Sequence, residues 1–350
     1  MKSEIRTAYL NVTAVLFALF FVFSLLVVNG TAIAADKVIK WRLQAFWPSS
    51  SSSYKQSVLP IVEKLKERTN GRLVIQPYSA RALVPTKEIL NAVERGMIEM
   101  GVSCGGYHRD KVPIGGIAHG LPFSFQEYWQ VAYFHHVLGF EQMVQKAYAK
   151  LGVYYSTEGI VPAEIASKRP LRTMSDFKGL KIRSSGVNAL FLSSIGASPT
   201  NLPGAEIYPA LASGVIDAEH WAGAQGSHTM GFYELCKYHL KTKLELAGTV
   251  AFMVNQKAID KLPKDIQQIF FSTLKEHFWL RYHNYIYGEI MMLKTIQKDE
   301  GVAITTLPPE QRKKMTSAAI KFWDMEGKKN EECGKAIEMI KDFLGSLGYL

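Results

Sequence analysis

The residues best equipped for chemistry in this 350-residue chain lie between Lys178 and Trp221. Leu180-Lys181-Ile182-Arg183 reads as an apolar strand ending in a cation, followed by a predicted helix and a Gly/Pro loop. A second predicted helix, Glu206 to Ser213, is closed by Gly214. It leads to a short apolar strand, Val215 to Ala218, that empties into Glu219-His220-Trp221. Two strands joined by helical crossovers form a parallel pair, and ligands gather at the carboxyl ends of such strands. Here those ends carry a guanidinium, an imidazole and an indole. A guanidinium offers a carboxylate two parallel donors, a fork that lysine cannot reproduce. Such a mouth suits a small organic anion. On the residues alone, Arg183 is also readable as a surface arginine in an ion pair, and Trp221 as simple core.

These residues are positioned by an alternation of strand and helix patterns. Val38 to Ala45 alternates apolar and polar residues, as a half-buried strand does. Tyr54 to Arg68 has helical spacing, with Pro60 expected to kink it or delay its start. The serine run Ser49 to Ser53 is expected to form a loop and helix N-cap. Arg72 to Gln76 returns as a strand, Thr86 to Arg95 is a helix stopped by Gly96, and Glu99 to Ser103 is a strand. A helical reading covers 125–150, and strands are expected at Gly152 to Ser156 and Thr249 to Asn255. Beyond that the chain is mostly helical, with a long amphipathic pattern from Gln267 to Gln297. The order implies an α/β fold with open, mixed and mainly parallel sheets.

The front of the chain predicts a compartment. Lys2 and Arg6 precede an apolar run from Ala14 to Val28, and Ala32 and Ala34 supply a small-residue cleavage site. This pattern is that of a secretory signal peptide over 1–35. Its apolar run is about 15 residues, short of the roughly 20 that a membrane-spanning helix needs. The mature protein is therefore expected in the periplasm. The formal charge is +10 for the whole chain and +9 without residues 1–35. The Lys and Arg residues are scattered, without a basic tail or an RNA-binding signature, so no nucleic-acid partner is expected. The excess charge draws anions instead. Cys104, Cys236 and Cys333 are too far apart to suggest a disulfide framework or a metal site. Phosphate-loop, zinc-protease and nucleophile-elbow motifs are missing.

In this order, several motifs resemble the solute-binding proteins of tripartite ATP-independent periplasmic (TRAP) transporters. The similarity is closest to the branch that binds 2-oxo acids and small carboxylates. It rests on Trp47-Pro48, Gly71-Arg72-Leu73, Leu83-Val84-Pro85, Gly120-Leu121-Pro122-Phe123 and Asp176 to Arg183. More specific are Asn201-Leu202-Pro203-Gly204, Glu206 to Leu211, Gly214 to Ala218 and Gly231-Phe232-Tyr233. The resemblance implies two lobes, two hinge strands and a long helix spanning both lobes. Lobe I would hold 36–160 and 249–288; lobe II would hold 161–248 and 289–350. It further implies a receptor that delivers a small organic acid to a permease driven by an ion gradient, as monomer or dimer, with no chemistry of its own.

The resemblance also implies roles for particular residues. Arg183 matches the arginine that clamps the ligand carboxylate, and Trp221 matches a tryptophan of the pocket wall. Tyr107 matches a pocket tyrosine, while Phe46 and Trp47 follow the first strand and are expected to close the cavity or join the core. His220 departs from the branch, which has a cation-holding glutamate there. Pro162 stands where a glutamine is expected, with Glu164 two residues on. Losing a carboxylate and an amide removes hard oxygen ligands, so sodium or calcium is disfavoured and no cofactor is expected. His220 would then donate directly to the anion; a soft metal on His220 and Glu219 lacks further ligands. Glu219 is expected to face into the sheet or solvent. Two alternatives share this sequence: a ligand-presenting partner of a sensor kinase, and an exported enzyme pairing His220 with Glu219 or Glu164 as acid and base.

Overall fold

The computed structural model describes residues 38–350, with side chains left aside over 243–248. The signal peptide expected over 1–35 lies outside the described residues. Among them, no helix is long and apolar enough to cross a membrane.

Among the described residues nine strands form one mixed sheet, in the order β2 (Leu73–Tyr78), β1 (Ile39–Ala45), β3 (Met100–Cys104), β8 (Tyr238–Asn255), β4 (Val153–Ser167), β7 (Ala218–His220), β5 (Lys181–Arg183), β6 (Ser198–Thr200), with β9 (Ala303–Thr305) paired to β8. β1 pairs in parallel with β2 and β3. β5 pairs in parallel with β6 and β7. Two long antiparallel strands, β4 and β8, join these groups. The fold is thus two-lobed, with β4 and β8 running through both halves.

Packing follows the same division. One apolar cluster gathers Leu43, Val102, Phe134 and Phe252 around the first parallel group. Two smaller clusters flank the second group, one around Ile182 and Phe191, the other around Ile207 and Phe232. The long helix Lys264–Asp299 spans both, with Phe270, Leu274 and Phe278 in the first cluster and Ile296 in the third. Helix Pro309–Gly327 is shared: Met315 joins the second cluster and Trp323 the first. The last helix, Glu331–Ser346, packs Ala336, Ile337 and Ile340 into the first cluster.

Several elements differ from the sequence reading. β4 and β8 run to 15 and 18 residues, far beyond the short strands expected. Pro60 falls in the first turn of helix Leu59–Arg68, behind a π-helical turn, Tyr54–Val58. The helical run is continuous from Ser52, and the π-helical turn sits where Pro60 cannot donate a backbone hydrogen bond, so the proline distorts the helix rather than delaying its start. The helical stretch over 125–150 is two helices, Tyr128–His136 and Phe140–Ala149, parted at Gly139 with φ +88°. The strand expected at Val215 to Ala218 begins at Ala218 instead. Gly214 (φ +74°) starts a turn that leaves Val215 exposed, so Glu219 and His220 are in the strand itself.

Candidate functional site

Four strand ends converge on one enclosed cavity. Phe46 and Trp47 follow β1, Tyr107 follows β3, Arg183 ends β5 and Trp221 follows β7, and all five line it. His220, the last residue of β7, lines it too. The cavity leaves about 40 Å³ for the centres of water-sized molecules. A single water needs about 10–15 Å³ on that measure, so the space takes a ligand of few heavy atoms.

Arg183 is 3% exposed. Its Nε donates to the Leu202 carbonyl oxygen at 3.0 Å, and Nη1 donates to the His220 carbonyl oxygen at 2.6 Å. Nη2 donates to the Tyr107 hydroxyl at 3.3 Å. The guanidinium lies over the Trp221 ring, 4.7 Å from its centroid. An arginine has five N–H donors, so these bonds leave one on each terminal nitrogen. That pair has the spacing of a carboxylate's two oxygens. Among the described residues, no carboxylate lies within ion-pair distance of Arg183.

The aromatic wall is set by backbone as much as by side chains. A Cβ on Gly204 would sit 2.5 Å from Cη2 of Trp221, so the glycine makes room for the indole. Phe46 packs on Trp47 at 4.8 Å, on Tyr107 at 5.9 Å and on Trp221 at 6.1 Å between ring centroids. Phe46 and Trp47 are therefore both core and cavity wall.

Burial governs the protonation of the polar wall. It is the main cause lowering His220 to about 3, with Arg183 and then His119 adding to it. Burial likewise lowers His119 to about 4, and raises the Tyr107 phenol to about 12. Near neutral pH both imidazoles are uncharged and the phenol keeps its proton. His220 Nδ1 pairs with the Ser184 hydroxyl at 3.1 Å. The described lining contains no Asp, Glu, Asn or Gln, and Arg183 is its single cation.

Two carboxylates named from the sequence are not in this wall. Glu164 faces away and pairs with His239, Oε2 to Nε2, at 2.7 Å; its neighbour Ala163 takes the place in the lining. Glu219 is fully buried behind His220 and accepts from the Ser227 hydroxyl at 2.7 Å. Consecutive strand residues face opposite sides, which separates Glu219 from His220 and Glu164 from Ala163. The acid–base pair imagined for His220 is therefore not assembled, since each glutamate has its own partner.

Other lining residues escaped the sequence reading. Ser51, Ser53, Ser185 and His119 all line the cavity. The serine run caps the helix as expected through Ser51, whose Oγ accepts from the Ser53 backbone N–H at 3.2 Å and whose carbonyl accepts from Lys55 N–H at 3.2 Å, while Ser53 makes no side-chain cap bond. The Ser53 hydroxyl instead accepts from Arg281 Nη2 at 2.8 Å. Position directly after Trp47-Pro48 was the available signal.

The fold agrees with comparison to known proteins. The family model described as bacterial extracellular solute-binding protein, family 7, matches residues 44–330. A monocarboxylate 2-oxoacid-binding periplasmic protein of Nostoc sp. is 31% identical over 306 residues, covering 86% of this chain and 80% of that one. A TRAP solute-binding protein from Pseudoalteromonas atlantica, solved with sodium and pyruvate, has a TM-score of 0.81 at 29% identity. One from Colwellia psychrerythraea, solved with calcium and pyruvate, has a TM-score of 0.81 at 26% identity. Each alignment covers 89% of this chain and 95% of the other. The chain belongs to the family 7 extracellular solute-binding proteins, the receptors of TRAP transporters.

Proposed function

We propose that this protein is a periplasmic receptor that closes on a small organic acid and delivers it to an ion-gradient-driven membrane permease. The observation that carries this reading is Arg183: a buried guanidinium with one donor left on each terminal nitrogen and no ion-pair partner among the described residues. A buried cation without a counter-ion is costly, and a ligand carboxylate relieves that cost. The pyruvate bound by the two solved relatives is of the size and charge that the cavity suits.

Capture starts with the carboxylate meeting the fork of Arg183 against the face of Trp221. The opposite wall, with Phe46, Trp47 and Tyr107, then closes over it by a hinge motion in β4 and β8. Register shifts in β4 between Thr157 and Gly159, and again on either side of Ala163, support a hinge in this part of the strand. Contacts across the cleft suit a closed form. Tyr107 meets Arg183, Ser52 N donates to the Thr229 hydroxyl at 3.1 Å, and Arg81 pairs with Glu206 at 3.1 Å. Closure excludes water and strengthens the ion pair. Export would use the signal peptide expected over 1–35. An affinity near micromolar, about −8 kcal/mol, would serve such a receptor.

Calorimetry and thermal-shift screening with pyruvate, lactate, 2-oxobutyrate, malonate and picolinate test the proposal. At least one acid should raise the melting temperature of the protein and fail to raise that of Arg183→Ala. If none binds, or if the variant binds as well, the receptor reading of this cavity fails.

A further inference from the structure

Two solved relatives hold pyruvate together with sodium or calcium. Such hard cations bind through oxygen, and calcium takes about six to eight oxygen ligands, carboxylates prominent among them. The described wall of this cavity offers neither a carboxylate nor a side-chain amide. Its side-chain oxygens belong to Ser51, Ser53, Ser185 and Tyr107, all uncharged hydroxyls. Its imidazoles, His119 and His220, present nitrogen, which suits softer metals. Among the described residues, no group of three or more His, Cys, Asp or Glu is placed to hold a metal. The donor set does not fit sodium or calcium.

The two nearest carboxylates are turned away by strand geometry. β7 sends His220 into the cavity and Glu219 behind it, to Ser227. β4 sends Ala163 inward and Glu164 behind, to His239. Charge argues the same way as donor type. The wall carries one positive charge, on Arg183, and a monocarboxylate neutralises it. A metal cation in the same small space would add like charge beside a buried guanidinium, with no carboxylate to offset it.

We infer that this receptor binds its monocarboxylate without a bridging sodium or calcium ion, so that Arg183 alone supplies the positive charge and the neutral wall of His220, Tyr107 and the serines completes the site. The inference rests on the proposed reading that Arg183 holds the ligand carboxylate. It also assigns His220 as the residue that sets cation independence.

The test is calorimetry of the purified protein with the tightest-binding acid of the screen. One titration uses chelator-treated protein in sodium-free choline buffer; others add calcium chloride or sodium chloride. The expected dissociation constants agree within about twofold across the buffers. A loss of about tenfold or more without cation, restored by calcium or sodium, overturns the inference while leaving the receptor reading intact. Absence of binding by every acid in every buffer overturns both. His220→Glu supplies an independent measure: the variant should bind the acid weakly without cation and gain affinity when calcium is added. A variant that responds to calcium no more than the wild type also counts against the assignment of His220.

Discussion

Arg281 and Ser53 join the long helix to the wall of the cavity, the guanidinium donating from Nη2 to the serine hydroxyl at 2.8 Å. Arg281 is itself buried, pairs through Nε with Glu158 Oε1 at 3.3 Å, and lies over the Tyr285 ring at 4.5 Å. Glu158 belongs to β4, so helix, hinge strand and serine loop meet at one arginine. Burial alone would raise the Glu158 carboxyl, but His277 and Arg281 together hold it below its ordinary value.

Arg281→Ala should therefore destabilise the fold by about 3–5 kcal/mol, because it leaves Glu158 buried without its guanidinium. Urea unfolding followed by circular dichroism measures this. Glu158→Gln with Arg281→Met should recover part of the loss, whereas a double variant no better than Arg281→Ala would show that the charge pair is not the cause.

Arg183→Ala should weaken acid binding by about 2–5 kcal/mol, the usual range for truncating one partner of a buried charge pair. Arg183→Lys should recover only part of it, since one ammonium cannot reproduce the two-pronged geometry. Calorimetry with both variants checks this, and full affinity in the lysine variant would rule out fork recognition.

Gly204→Ala places a methyl 2.5 Å from the Trp221 ring and should push the indole out of its stack on Arg183. Overpacking of this kind costs about 1–3 kcal/mol. The expected readout is weaker ligand binding together with a shifted tryptophan emission. Unchanged affinity would mean that the indole is not needed where it stands.

Stability should depend on pH through two carboxyls behind the site. Burial is the main cause raising both Glu219 and Glu289 from 4.5 to about 7, with Glu164 adding to the rise at Glu289. Between those values the folded chain keeps protons that the unfolded chain has released. Their contribution is complete below about pH 4.5, falls as pH rises, and levels off above about 7. Glu141 and Glu158, both lowered, act in the opposite direction at lower pH. Four buried imidazoles, His108, His119, His135 and His220, are lowered to about 3 or 4 and oppose the two raised carboxyls below about pH 6.5, where the unfolded chain takes up their protons. Urea unfolding from pH 5 to 8 should therefore show stability rising to about pH 6.5, with a steeper rise in Glu219→Gln. An identical slope in that variant would remove Glu219 from the account.

Much of this molecule is readable along the chain. The apolar strand ending at Arg183, the helix between Gln267 and Gln297, and the family motifs each depend on residues close together in sequence. The two strands that span the lobes were not legible at full length. Thr157, Glu158, Pro162 and Glu164 interrupt the apolar pattern of β4, and their partners come from distant segments such as Arg281 and His239. The cap at Ser51 is local and was legible, whereas the contacts of the serine run with Arg281 and Thr229 come from segments far away in sequence.

By itself the sequence determined that a guanidinium ends an apolar strand, that aromatic residues follow other strands, and that the chain has the motifs of a solute receptor. Strand alternation already set Glu219 on the opposite face from His220, and only the tertiary structure decided that on β4 Ala163 looks into the cavity rather than Glu164. The side-chain period of a strand is two, so a shift of one residue exchanges the inward and outward sets. Register is fixed by pairing between distant strands, and local sequence does not carry that information.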